Sequence, residues 1–187
     1  IQLCHAGRKG STHKNWDGGG PLQAHENAWR TCAPSALPYS DNWHVPEEMS
    51  EEEIERTIAA YGRAAARAAR IGFDMVELHA AHGYLIHQFH SPISNKRTDG
   101  WGGDAHKRLR FALAAAEAVR AATPAHMGLG ARITSTDYIE GGLTVEDGVE
   151  MASAFKARGF DYVCVSSGNI LAGGRPASGP GFNVPNA

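Results

Sequence analysis

An α/β fold of parallel strands joined by helices is what this sequence predicts, on three observations. Apolar residues alternate between short strand-length runs and stripes of helical spacing, in the order βαβαβαβ. The first helical stripe carries its own start and stop signals. The polar, chemically capable residues gather just after strand-like runs: His5 and Arg8, His79 and His82, Arg132 and Asp137, Ser166 and Ser167. Parallel strands with helical crossovers place active sites at the C-terminal strand ends, in an open doubly wound sheet and in a (β/α)8 barrel alike. No GxGxxG follows the first strand and no GxxxxGK[ST] occurs, so the dinucleotide and P-loop readings lose their main support.

Taken in order, residues 1–4 (IQLC) form a short apolar strand. Residues 5–49 are a Gly-, His-, Pro- and Trp-rich loop, and a loop of that length inside a domain is usually functional or covers something. Ser50 then caps the first helix, with Glu53 as its capping-box partner. Ile54, Ile58, Tyr61, Ala65 and Ala68 make its apolar stripe, and Gly72 stops it. Acidic residues 51–53 and 55 open this helix, and Arg63, Arg67 and Arg70 close it, as its dipole favours. Residues 73–78 (FDMVEL) read as the second strand and 79–104 as a polar connector, with Asn95, Arg97 and Asp99 holding its turns. A second helix over 104–122 uses Leu109, Leu113, Ala116 and Val119. A strand follows over 127–133. A third helix over 144–159 turns Val145, Val149, Ala152 and Phe155 inward, and a last strand covers 161–166. Four strands and three helices are half of an eight-stranded barrel, which typically takes about 250 residues. With an apolar start lacking Met and a Gly/Pro-rich end after a strand, the 187 residues read as one partial domain from the middle of a longer protein.

Composition narrows the function. Eighteen basic against 20 acidic residues give a net charge of −2, which argues against a nucleic-acid partner. No apolar run approaches a membrane span, and residues 1–10 are too polar for a signal peptide. Three widely spaced cysteines, Cys4, Cys32 and Cys164, form neither a disulfide framework nor a zinc pair, so a cytoplasmic setting is expected.

The most informative segment is HAAHGYL (79–85). Two imidazoles at one strand mouth can donate two N–H bonds to one oxygen, polarising a carbonyl, nitro or phenolate group. Tyr84 can then give or take a proton. A metal-dependent barrel hydrolase is the rival reading. It needs a third ligand, for which His5 is the ready candidate, and the i, i+3 spacing of His79 and His82 departs from the i, i+4 of a helical zinc pair. Two loop histidines bonded to backbone remain the plain structural alternative. His87 and His90 repeat the spacing on a short helical turn, where a surface or packing role is expected. Arg132 ends an apolar strand and needs an anionic or electron-rich partner: a flavin pyrimidine edge, a substrate carboxylate, or Asp137. Gln2 can meet an imide edge as donor and acceptor together. SSG (166–168) is a nonspecific phosphate-cradle pattern.

QLCHAGRK at 2–9, APSAL at 33–37, VPEEMSEEEI at 45–54 and GFDMVELHAAHGYLIHQFHSPISNKRTDGWGGD at 72–104 resemble the old yellow enzyme family of FMN-dependent ene-reductases. ARITSTDYIEGGL at 131–143 and GFDYVCVSSG at 159–168 continue the match, which is weakest over 11–32 and after 170. Trp101 and His90 depart from the family's more common residues. The resemblance implies a (β/α)8 TIM barrel of which this chain covers roughly strands 3 to 6, with FMN at the C-terminal mouth. It implies that Gln2 and Arg132 bind the flavin, that His79 and His82 hold the activating oxygen of the substrate, and that Tyr84 is the proton donor. The His/His pair is similar to the thermophilic-like and xenobiotic-reductase branch. The implied activity is that of an NADPH dehydrogenase of ene-reductase type. NADPH or NADH is its reductant, and it reduces activated C=C bonds of small enones, and nitro compounds, in a ping-pong cycle. A homo-oligomer is compatible with this reading, and a non-catalytic barrel fragment is its third alternative.

Overall fold

The computed structural model describes residues 1–174 and 179–187. Part of the Gly/Pro-rich segment after the last strand, residues 175–178, therefore lies outside the described residues. Strand β1 (Gln2–Leu3) is followed by the long loop, which holds three single 3-10 turns and two two-residue strands, β2 (Cys32–Ala33) and β3 (Glu47–Glu48), paired in parallel. Helix α1 (Glu51–Arg70), strand β4 (Met75–Ala80), the short helix α2 (Leu85–His90), helix α3 (Ala105–Ala122), strand β5 (Gly128–Thr134), helix α4 (Val145–Lys156) and strand β6 (Tyr162–Ser166) follow.

The main sheet is parallel, in the order β1-β4-β5-β6. The strand order never reverses, and one sheet face is buried while the other is open. Leu3, Val76, Leu78, Ala80, Leu129, Ala131 and Ile133 lie in the core, with Ile54, Tyr61, Ala65, Leu109, Ala116, Met151 and Phe155 from α1, α3 and α4. A doubly wound sheet would carry helices on both faces and a switch in strand order. Sequential strands with helices on one face form an arc of a (β/α)8 barrel. No helix among the described residues is long and apolar enough to cross a membrane.

The predicted capping box forms: Glu53 N–H donates to Ser50 Oγ at 3.2 Å, and Ser50 N–H donates to Glu53 Oε2 at 2.8 Å. Gly62 lets α1 approach α3, since a Cβ there would lie 3.1 Å from the Ala118 carbonyl oxygen. Two expectations need correction. β4 continues to Ala80, because its ladder with β5 runs on to Ala80 opposite Ile133; His79 is thus a strand residue rather than the first beyond it. Val149 is 61% exposed, whereas Phe155 is buried as expected and is joined by Gly148 and Met151. The cause is Gly148, which rides so close on Ser135 that a Cβ would lie 2.8 Å from its Cα. With the glycine facing the sheet, the next residue turns away.

The 91–104 connector binds the loops together as expected. Arg97 donates through Nη1 to the carbonyls of Pro34 (3.1 Å) and Met49 (2.7 Å) and through Nη2 to Asp99 (2.6 Å). Asn95 Nδ2 donates to the carbonyls of Phe89 and Trp101.

Candidate active site

Strand alternation decides which side chains can meet. With Val76, Leu78 and Ala80 turned to the helices, Met75, Glu77 and His79 face the open concave side. Parallel register sets His79 beside Arg132 and Arg132 beside Cys164, and Thr134 beside Ser166. Gln2 lies opposite Glu77, one row below. The two-residue periods of four strands thus bring Gln2, His79, Arg132 and Ser166 onto one surface.

His82 leaves the strand in the left-handed region (φ +59°), followed by Gly83 (φ +71°). A Cβ on Gly83 would lie 2.2 Å from the Asn169 carbonyl oxygen, so only glycine fits. The reversal folds His82 back over His79: Nδ1 of His82 is 3.3 Å from Nε2 of His79, with the rings nearly perpendicular. The Tyr84 ring meets His79 edge-on at 4.9 Å. HAAHGYL therefore brings its three candidate residues together. Burial first, and the Arg132 charge second, lower both imidazoles to about 4, so both are neutral at pH 7. His79 Nδ1 accepts the Ala81 N–H at 3.3 Å, which leaves the proton on Nε2.

A cleft of about 400 Å³ opens beside the pair, and its wall includes Lys9, Tyr39, Trp43, His82, Tyr84 and Asn169. Lys9 Nζ donates to the His82 carbonyl at 2.9 Å and lies over the Tyr39 ring at 4.5 Å. Sequence reasoning missed Lys9 and Tyr39. The position of Lys9 behind a strand end was a usable signal; for Tyr39, inside the long loop, there was none.

Arg132 does not pair with Asp137. Its Nε is buried without a hydrogen-bond partner. Gln2 is exposed, and its Nε2 donates to Glu77 Oε1 at 2.6 Å. Asp137 instead accepts from His87 Nε2 at 2.8 Å, Ser91 Oγ at 2.7 Å and the Leu143 N–H at 2.9 Å, with His87 and Asp137 fully buried. His87 Nδ1 accepts the Gly83 N–H at 2.8 Å, and Gln88 Nε2 donates to the Gly83 carbonyl at 2.7 Å. His87 is therefore no surface residue; it anchors the histidine loop from beneath. His90 is buried as well, the packing role expected of it. Arg8, also buried, donates to the carbonyls of Leu37, Pro38 and Ile170, tying the loop after β1 to the one after β6. Among the described residues no three His, Cys, Asp or Glu side chains converge as a metal site requires. His5, the third ligand of that alternative, accepts the Gly7 N–H on Nδ1.

Comparison with known proteins agrees with this architecture. The NADPH dehydrogenase of Bacillus cytotoxicus (strain DSM 22905 / CIP 110041 / 391-98 / NVH 391-98) is 43% identical over 171 residues, 91% of this chain and 44% of the relative. The chain spans about half the length of the curated relatives it matches. A 2-naphthoyl-CoA reductase solved with 2-naphthoyl-CoA superposes with a TM-score of 0.76 at 32% identity, covering 89% of this chain and 26% of that one. Morphinone reductase superposes with a TM-score of 0.75 at 26% identity, over 99% of this chain and 51% of that one. The family model of NADH:flavin oxidoreductases and NADH oxidases matches residues 1–184, and the chain belongs to that family.

Proposed function

We propose that this chain carries the substrate-oxygen site, the acid and part of the flavin site of an FMN-dependent NAD(P)H oxidoreductase. The substrates are small molecules with an activated C=C bond, enones above all, and nitro compounds. The observation that carries this reading is the pair of neutral imidazoles 3.3 Å apart at the strand mouth, with Tyr84 against one of them. The residues suit the cofactor. Arg132 presents a buried, partnerless Nε on the face shared with His79, and an electron-rich flavin pyrimidine edge would satisfy it. Gln2, on the same face one row lower, offers an amide to that ring. A bound flavin supplies hydride transfer, taking a hydride from NADPH or NADH and passing it to the substrate. His79 and His82 bind the substrate oxygen and stabilise the negative charge that develops there as the double bond is reduced. Tyr84, whose hydroxyl burial holds in the protonated form, supplies the proton to the substrate carbon.

The test is direct. Purified with added FMN, the full-length protein that carries this segment should be yellow, and its flavin absorbance should bleach anaerobically on addition of NADPH or NADH. A folded protein that stays colourless after FMN addition would end this reading, and metal analysis of the same sample tests the hydrolase alternative. In the flavin-loaded enzyme, His79→Ala should weaken binding of p-hydroxybenzaldehyde, whose phenolate imitates the substrate oxygen. One donor to a charged oxygen is worth about 1.5–3 kcal/mol, or roughly 10- to 150-fold in affinity. Unchanged affinity in a titration followed by the flavin spectrum would show that the pair is not the oxygen site.

A further inference from the structure

Ser166 is the last residue of β6, 84 residues away from His82, and its Oγ lies 2.5 Å from His82 Nε2. Its carbonyl accepts the Ser135 N–H at 2.8 Å and the Ser135 hydroxyl at 3.0 Å, which fixes the serine backbone. The His82 backbone is fixed too: its N–H donates to Thr134 Oγ1 at 3.1 Å, and its carbonyl accepts Lys9 Nζ. Among the described residues, the His82 ring nitrogens bond only His79 and Ser166, and the Ser166 hydroxyl bonds only His82.

We propose that Ser166 is a positioning residue whose hydroxyl donates to His82 Nε2 and keeps the imidazole proton on Nδ1, the nitrogen facing His79. This rests on the reading of the histidine pair as an oxygen site.

Two neutral tautomers of His82 are compatible with these distances, and they offer a substrate different things. With the proton on Nε2, His82 donates to Ser166, and its bare Nδ1 accepts the Nε2–H of His79. The pair then satisfies itself, and no N–H is left for a ligand. With the proton on Nδ1, Ser166 donates to the bare Nε2. The Nε2–H of His79 and the Nδ1–H of His82 now face the same space, where only an acceptor oxygen satisfies both. Serine can support this second state because its hydroxyl turns to donate, whereas an aliphatic side chain would leave the part-buried Nε2 without a donor and favour the self-paired state. The change of tautomer moves one proton from Nε2 to Nδ1 of a neutral ring and needs no other reactant. The neutrality of both rings, from burial and the Arg132 charge, makes the tautomer rather than the charge the controlling variable.

The experiment uses flavin-loaded protein labelled with 15N-histidine, in which long-range 1H–15N spectra report which nitrogen of His82 carries the proton. With bound p-hydroxybenzaldehyde, wild type should show it on Nδ1. Ser166→Ala should shift it toward Nε2 and lower phenol affinity roughly 3- to 10-fold, the scale of one neutral hydrogen bond. Ser166→Thr, which keeps the hydroxyl, should restore both. A proton that stays on Nδ1 in Ser166→Ala overturns the proposal, even where His79→Ala weakens phenol binding. A proton that moves, with phenol affinity indifferent to both Ser166→Ala and His79→Ala, supports the tautomer role and instead overturns the oxygen-site reading. Should Ser166→Ala not fold, the wild-type phenol complex alone decides, since a proton found on Nε2 overturns the proposal.

Discussion

Tyr84→Phe is expected to slow substrate reduction by about 10²–10⁴-fold, the usual loss when a general acid is removed, while leaving reduction of the bound flavin by NADPH nearly unchanged. The two half-reactions make different demands. A hydride passed from a nicotinamide to the cofactor needs no acid from the protein. A reduced enone must collect a proton on carbon before it can leave. On the proposed function, Tyr84 is the acid for that step. It stands at the N-cap position of α2, half-buried, its ring edge-on to His79 and its side chain on the wall of the cleft. Its pKa is raised, chiefly by burial, so the hydroxyl is fully protonated at neutral pH. Phenylalanine keeps the ring and its contact with His79 and removes only the oxygen. Nitro compounds, whose products can take a proton from water, should suffer less than enones. Stopped-flow measurement of each half-reaction separates the outcomes. Equal slowing of both halves would make Tyr84 a wall of the pocket and move the acid to another residue or to solvent.

The second large effect is on stability. Asp137→Ala should cost about 3–5 kcal/mol, because three donors lose their acceptor and a buried donor left unsatisfied costs about 1–3 kcal/mol. The carboxylate is fully buried and accepts three hydrogen bonds, from His87, Ser91 and the Leu143 backbone, all of which the alanine would strand. Burial alone would push its pKa up, but the His87, Leu143 and Ser91 hydrogen bonds and the attraction of His87 outweigh burial and hold it below the usual carboxylate value. A carboxylate with a depressed folded-state pKa contributes stability that is present above its unfolded value and lost as pH falls through the folded one. Wild type should therefore weaken on acidification through and below the usual aspartate range, and Asp137→Ala should lack that part of the slope. Urea denaturation across pH checks both. A loss under about 1 kcal/mol at pH 7 would mean that the cavity rehydrates and that the network matters little. Because His87 also holds the Gly83 N–H, the variant should in addition loosen the turn that folds His82 over His79.

Much of this site is written in local sequence. Ser50 and Glu53 close their capping box within one helical turn, and the α1 stripe packs where its period puts it. HAAHGYL brings His79, His82 and Tyr84 together within six residues, because one strand end and one left-handed reversal suffice. Strand period two is local as well, and it turns Gln2, His79, Arg132 and Ser166 toward one face once the strands are parallel and in register. Contacts between distant segments were decided only by the tertiary fold. The extension of β4 to Ala80 depends on what β5 offers opposite it. Val149 turns outward because Gly148, alone on α4 in lacking a Cβ, meets Ser135 across the helix–sheet interface. The pairing of His87 with Asp137 spans 50 residues, and that of His82 with Ser166 spans 84. No periodicity in a single chain encodes which of several buried donors meets which acceptor. The crossovers α3 and α4 settle it by fixing how far each strand end stands from its neighbour, and a hydrogen bond forms only within about 3 Å.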